Sequence, residues 1–118
     1  MPKKLIPLPK LKKKADAVFS KWIRERDKAC YTCMRVIPTT ELQNGHYVSR
    51  SYLALRYDER NCHAQCVSCN VFKHGNMTVY ALRLINDYGT DLLREFEQTK
   101  HTQVNTRKLL NEVIEKYK

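Results

Sequence analysis

Two Cys-x-x-Cys pairs, Cys30-Tyr31-Thr32-Cys33 and Cys66-Val67-Ser68-Cys69, stand inside a chain of only 118 residues. Each pair sets two sulfurs on one tight turn, and the repeated spacing predicts a closed four-thiolate zinc site. The ion would join the two turns and pin the segment between them at both ends, a staple from which a small core gains most. Buried cysteines without a ligand do not account for the repetition. The N-terminus carries lysines but no apolar stretch of signal-peptide length, so a reducing, cytoplasmic setting is expected in place of a disulfide framework. No apolar run is long enough to span a membrane. Cys62 is the odd thiol, expected to be buried or incidental.

The formal net charge is +10, and its distribution matters more than its size. Residues 1–75 carry 15 Lys/Arg against 6 Asp/Glu, whereas residues 76–118 carry 7 against 6. The positive field therefore lies on the same part of the chain as the cysteines. No amphipathic stretch pairs it with an exposed apolar face, so a membrane partner is not expected. Nucleic acid is the natural partner of such a basic domain.

The pattern predicts an α+β chain in three parts. Residues 1–14 hold six lysines and three prolines. Pro7 and Pro9 predict an extended basic arm there, with Lys12, Lys13 and Lys14 available to a phosphate backbone. From Ala15, the apolar residues Ala15, Val18, Phe19, Trp22 and Ile23 predict a helix to about Lys28, with Trp22 in the core. A short strand or turn is expected within 31–44, then a second short strand near Leu42 to Ser49, with a close backbone approach at Gly45. A loop follows over 50–60, and a helix opens between Cys66 and Asn70. Residues 15–76 thus form a zinc-bound core with its leading helix. Residues 77–118 read as helical, broken at Tyr88-Gly89-Thr90, with a last helix from about Asn105 to Tyr117. The apolar faces and neutral balance of these C-terminal helices point to packing or a homodimer.

Gly45-His46-Tyr47, Asn61 and Cys66-x-x-Cys69-Asn70-x-x-Lys73 together resemble the HNH, or ββα-metal, nuclease pattern, including its endonuclease VII branch. More closely, W-I-R-E-R-D-K-A-C-Y-T-C, G-H-Y-V-S-R, L-R-Y-D-E-R-N, A-Q-C-V-S-C-N and K-H-G-N resemble the phage NinG (Rap) recombination family, over about Trp22 to Gly89. The resemblance implies a zinc-stapled ββα-metal core flanked by helices and a structure-selective endonuclease for branched DNA such as Holliday junctions or D-loops. It also implies the cytoplasm of a phage's host. His46 takes the place of the general base, Asn61 of the residue that braces the loop or the histidine, and Asn70 of a ligand to a catalytic ion. The usual pattern has an acidic ligand just before the histidine, where this chain has Gly45. Asp58, Glu59, His63 and His74 are the candidates to replace it. Asp58 is preferred, because Mg²⁺ or Mn²⁺ favours carboxylate oxygen, and His63 comes second.

The chemistry also follows from the residues themselves. Hydrolysis of a phosphodiester needs an activated water and relief of developing charge. A neutral histidine takes a proton near pH 7, and a divalent ion steadies the departing oxygen. Asn61 would fix the ring tautomer through its carbonyl. Arg50, Arg56 and Lys73 are the phosphate-contact candidates. The alternative is a zinc-stapled DNA- or RNA-binding module without catalysis, in which Tyr47, Tyr52 and Tyr57 would stack on bases.

Overall fold

A computed structural model describes residues 5–118. Helix α1 spans Leu8–Asp27 and buries Leu11, Ala15, Phe19 and Ile23, one residue per turn along a single face. The helix therefore begins well before Ala15. Pro9 lies in its first turn, where the amide hydrogens lack helical partners anyway, so proline is tolerated. The expected extended arm is thus helical from Leu8, and Lys12, Lys13 and Lys14 ride on α1; residues 1–4 lie outside the described residues. Lys28 ends the helix in a left-handed conformation (φ 61°), its N–H bonded to Arg24 O at 2.9 Å.

The sheet is a two-stranded antiparallel ladder of β1 (Gln43–His46) and β2 (Cys62–Gln65). Between the strands, residues 50–60 are not all loop, for Leu53–Arg56 make one helical turn, α2. After β2, residues 68–72 form a single wide turn, and the chain then enters α3 (Met77–Tyr88). The helix expected to open at Cys66–Asn70 is therefore only that turn. Gly89 adopts φ 94° and separates α3 from α4 (Asp91–Thr99). Asn105 caps α5 (Thr106–Tyr117) by accepting from Lys108 N at 3.1 Å.

Two apolar clusters hold these elements together. The first joins α1, α5, Leu42, Tyr57, the sheet and the cysteines. The second joins Tyr31 and Leu55 to Tyr80, Leu84, Leu92 and Phe96 of α3 and α4. The apolar face of α5 is spent inside the chain on α1, with Tyr117 packed 4.8 Å from Phe19 and 4.9 Å from Trp22 between ring centres. It is not the free dimer surface that its sequence pattern suggests. In the described residues no helix is long and apolar enough to cross a membrane.

Gly45 marks a close approach. A Cβ there would overlap the Gln65 side chain, lying 2.6 Å from its Cδ. Gln65 is fully buried and anchored, its Nε2 donating to Gly75 O at 2.8 Å and Thr32 Oγ1 at 3.1 Å. Gly45→Ala is expected to destabilise the chain by about 1–3 kcal/mol through overpacking. Denaturant titration checks this, and an unchanged midpoint would contradict it.

Candidate functional site

The sulfurs of Cys30, Cys33, Cys66 and Cys69 all lie within 4.8 Å of one another, and the Cys33–Cys66 pair is 3.7 Å apart. A tetrahedron with Zn–S bonds of about 2.3 Å has edges of about 3.8 Å. Peptide N–H groups of Cys33 and Cys69 point at Cys30 and Cys66 Sγ, each at 3.5 Å. Burial opposes ionisation of Cys30, but the Thr32 hydroxyl and the backbone N–H groups of Cys33, Cys66 and Thr32 bring its pKa down to about 6. Cys33 and Cys69 are pushed up by burial and by the neighbouring sulfurs. Four such sulfurs become stable thiolates together only around a cation. The four cysteines are thus positioned to bind a metal ion, and an all-thiolate set suits zinc. Cys62 stands apart, fully buried, with Sγ 3.3 Å from Arg56 O.

The strand register sorts the remaining candidates. His46 pairs with Cys62, and Gly45 with His63. Side chains alternate along a strand, so His46 and His63 face opposite sides of the sheet. On the His46 side a cleft of about 650 Å³ opens between α1 and the sheet. His46, Asn70, Arg50, Lys13, Asp16, Arg56, Gln43 and Asn44 are among its lining residues. An adjoining hollow of about 450 Å³ shares Lys13, Asp16, Arg50 and Arg56, and adds Lys12. The two hollows form one basic trough.

His46 Nε2 lies 2.9 Å from Arg56 O. A carbonyl oxygen only accepts, so Nε2 carries the proton and Nδ1 keeps its lone pair. Burial, helped by the charges of Arg56 and Arg50, lowers the His46 pKa, against the pull of the carbonyl and Asp16. The ring is therefore neutral at pH 7. Asn70 Nδ2 donates to Gln43 Oε1 at 2.8 Å, which leaves its carbonyl oxygen available as an acceptor or ligand.

Other candidates are placed differently. Asn61 is fully buried and braces the loop, not the histidine. Its Oδ1 accepts from Val48 N at 2.7 Å, and its Nδ2 donates to Val48 O and Leu55 O, both at 3.1 Å. The tautomer-fixing carbonyl is that of Arg56. The Arg56 side chain is not a free phosphate contact, because its Nε and Nη2 donate to Asp16 at 2.9 and 2.5 Å and its Nη1 to Arg50 O at 2.8 Å. Arg50 and Lys13 are exposed at the cleft, whereas Lys14 and Lys73 are exposed away from it.

None of the proposed replacements for the acidic ligand lines the cleft. Asp58 bonds to Arg60 N at 2.8 Å, and Glu59 accepts from the Tyr117 hydroxyl at 2.6 Å. His63 is stacked on Tyr31 at 3.8 Å and touches the hydroxyls of Tyr80 and Tyr88. Burial pushes its pKa down to about 4. His74 sits exposed on the turn before α3. The acid that does line the cleft is Asp16 of α1, a residue the motif pattern does not single out. Its signal in the sequence is slight: a lone carboxylate in a lysine-rich stretch, off the apolar face.

The profile of the bacteriophage lambda NinG protein family matches residues 2–118. The chain is similar to Protein ninG of Escherichia phage 933W, 39% identical over 88 residues, and of Salmonella phage P22, 38% identical over 88 residues. It is 36% identical over 88 residues to Protein ninG of Escherichia phage lambda. Each alignment covers 72% of this chain and 43% of the relative. The chain thus spans less than half the length of the relatives it matches. No solved structure matches it.

Proposed function

Since this chain belongs to the NinG family of bacteriophage proteins, we propose that its His46 cleft is the active site of a metal-dependent HNH-type endonuclease. Its substrate is branched recombination DNA, such as Holliday junctions and D-loops. The observation that carries the reading is a neutral histidine with one unprotonated ring nitrogen, set in a basic trough beside Asn70. A two-stranded ladder followed by the turn that bears Asn70 supports a ββα-metal layout.

In this reading the DNA strand lies along Lys12, Lys13 and Arg50. Water attacks the phosphorus, His46 Nδ1 takes its proton, and the bond to the 3′ oxygen breaks. Mg²⁺ or Mn²⁺, when bound, offsets the charge that grows on the phosphate and the departing oxygen. Such ions settle for one or two protein ligands and take the rest from water and phosphate. Asn70 Oδ1 fits that role, while Asp16 is already bonded to Arg56 and Tyr57.

The test is cleavage of a panel of branched and linear DNAs with and without Mg²⁺ or Mn²⁺. The proposal expects metal-dependent nicking that favours the branched substrates. Tight binding without cleavage under any metal would favour the non-catalytic module.

A further inference from the structure

Among its lining residues the cleft has one carboxylate, Asp16. Both its oxygens are engaged. Oδ1 accepts from Arg56 Nε and from the Tyr57 hydroxyl at 2.7 Å, and Oδ2 accepts from Arg56 Nη2. Burial opposes the charge on Asp16, but these bonds outweigh it and hold its pKa below the usual carboxylate range. Two-point pairing of a guanidinium with a carboxylate fixes orientation as well as distance. The Arg56 side chain is nearly buried, and its third nitrogen donates to Arg50 O. Arg56 is therefore held on both sides, and its backbone carbonyl is the partner of His46 Nε2. A guanidinium beside the carboxylate also repels a second cation.

We propose that Asp16 is a positioning residue for His46: from α1 it clamps Arg56, whose carbonyl then keeps the imidazole in the tautomer that leaves Nδ1 unprotonated. The carboxylate missing before the histidine is thus not replaced as an ion ligand. A carboxylate from another element takes up a different task, orienting the base through one intervening residue. The inference rests on the nuclease reading for its kinetic consequence, but its structural content stands without it.

The experiment is long-range ¹H–¹⁵N NMR of His46 in the wild type, Asp16→Ala and Asp16→Asn, with nicking rates measured in parallel. The wild type is expected to show one tautomer, protonated at Nε2. Asp16→Ala is expected to show a mixture and to nick about ten- to a hundredfold more slowly, the usual consequence of a loosened catalytic group. Asp16→Asn keeps an acceptor for Arg56 and is expected to fall between the two; if Asp16→Ala does not fold, Asp16→Asn must still shift the His46 nitrogens. An unchanged His46 signature in the variants that fold overturns the inference. So does loss of Mn²⁺-induced line broadening at the cleft with an unaltered tautomer, which would make Asp16 an ion ligand. If the tautomer responds as expected while the wild type nicks no DNA, the positioning role stands and the nuclease reading falls.

Discussion

Cys66→Ser is expected to lose the bound metal and, with it, the cooperative unfolding transition of the chain. Cys66 is buried, and its sulfur is 3.7 Å from that of Cys33. It belongs to the turn that joins β2 to α3, so the site ties together segments more than thirty residues apart in sequence. Apparent binding energies of structural zinc in small domains run to about 10–16 kcal/mol at neutral pH. That is comparable to or larger than the whole stability of a typical domain, about 5–15 kcal/mol. A strong chelator should therefore reproduce the effect in the wild type. Metal analysis with thermal denaturation checks both statements. Cys62→Ala is the matched control. Cys62 is also fully buried, but its thiol is raised by burial and lies outside the four-sulfur group. That variant should keep its metal and lose only packing. A Cys66→Ser protein that retains one ion per chain and melts like the wild type would show that the four sulfurs do not hold the frame.

Asn61→Ala carries the second large effect. The side chain is fully buried and makes three hydrogen bonds, to both backbone groups of Val48 and to Leu55 O. Alanine would leave a buried N–H and two carbonyls without those partners. At about 1–3 kcal/mol for each unsatisfied group, partly relieved by water, the expected loss is about 3–5 kcal/mol. Tyr47 N also donates to Asn61 O at 2.9 Å, so the loop from His46 to Leu55 is anchored on this one residue. Amide hydrogen exchange should show that loop opening first. Asn61→Asp would test the same point more severely, since it keeps the acceptor for Val48 N but turns a buried carboxylate oxygen toward the carbonyls of Val48 and Leu55. An Asn61→Ala protein with wild-type stability would mean that the loop is held by something else.

The four-cysteine cluster is legible because its information is local: two sulfurs on each turn, repeated once. The same holds for the breaks at Gly89 and Asn105, where one residue's backbone or side-chain preference ends or caps a helix. Proline content misled at the N-terminus, because the cost of proline depends on its position and Pro9 falls in a first turn. Arg56 read as a loop arginine facing phosphate, yet it is buried against a carboxylate forty residues earlier in the chain. Nothing in the sequence around position 56 encodes that pairing. His63 was a reasonable ligand by residue type, but the pairing of His46 with Cys62 sends it to the other face of the sheet. Strand register therefore separates the two histidines, and register is set by pairing across the sheet. The role of Asp16 is hidden for the converse reason, since helix periodicity says which residues leave the apolar face but not what they meet.

If His46 is the base of a DNA-cutting cleft, its removal must slow the cut and leave folding and DNA binding in place. Wild type and His46→Ala are incubated with a labelled four-way junction and Mg²⁺, after equal metal content and equal junction binding have been established. Loss of a general base is worth about 10²–10⁴ in rate. Nicking by the wild type and a fall of that size in the variant are expected. A His46→Ala protein that nicks at the wild-type rate would contradict that role for His46.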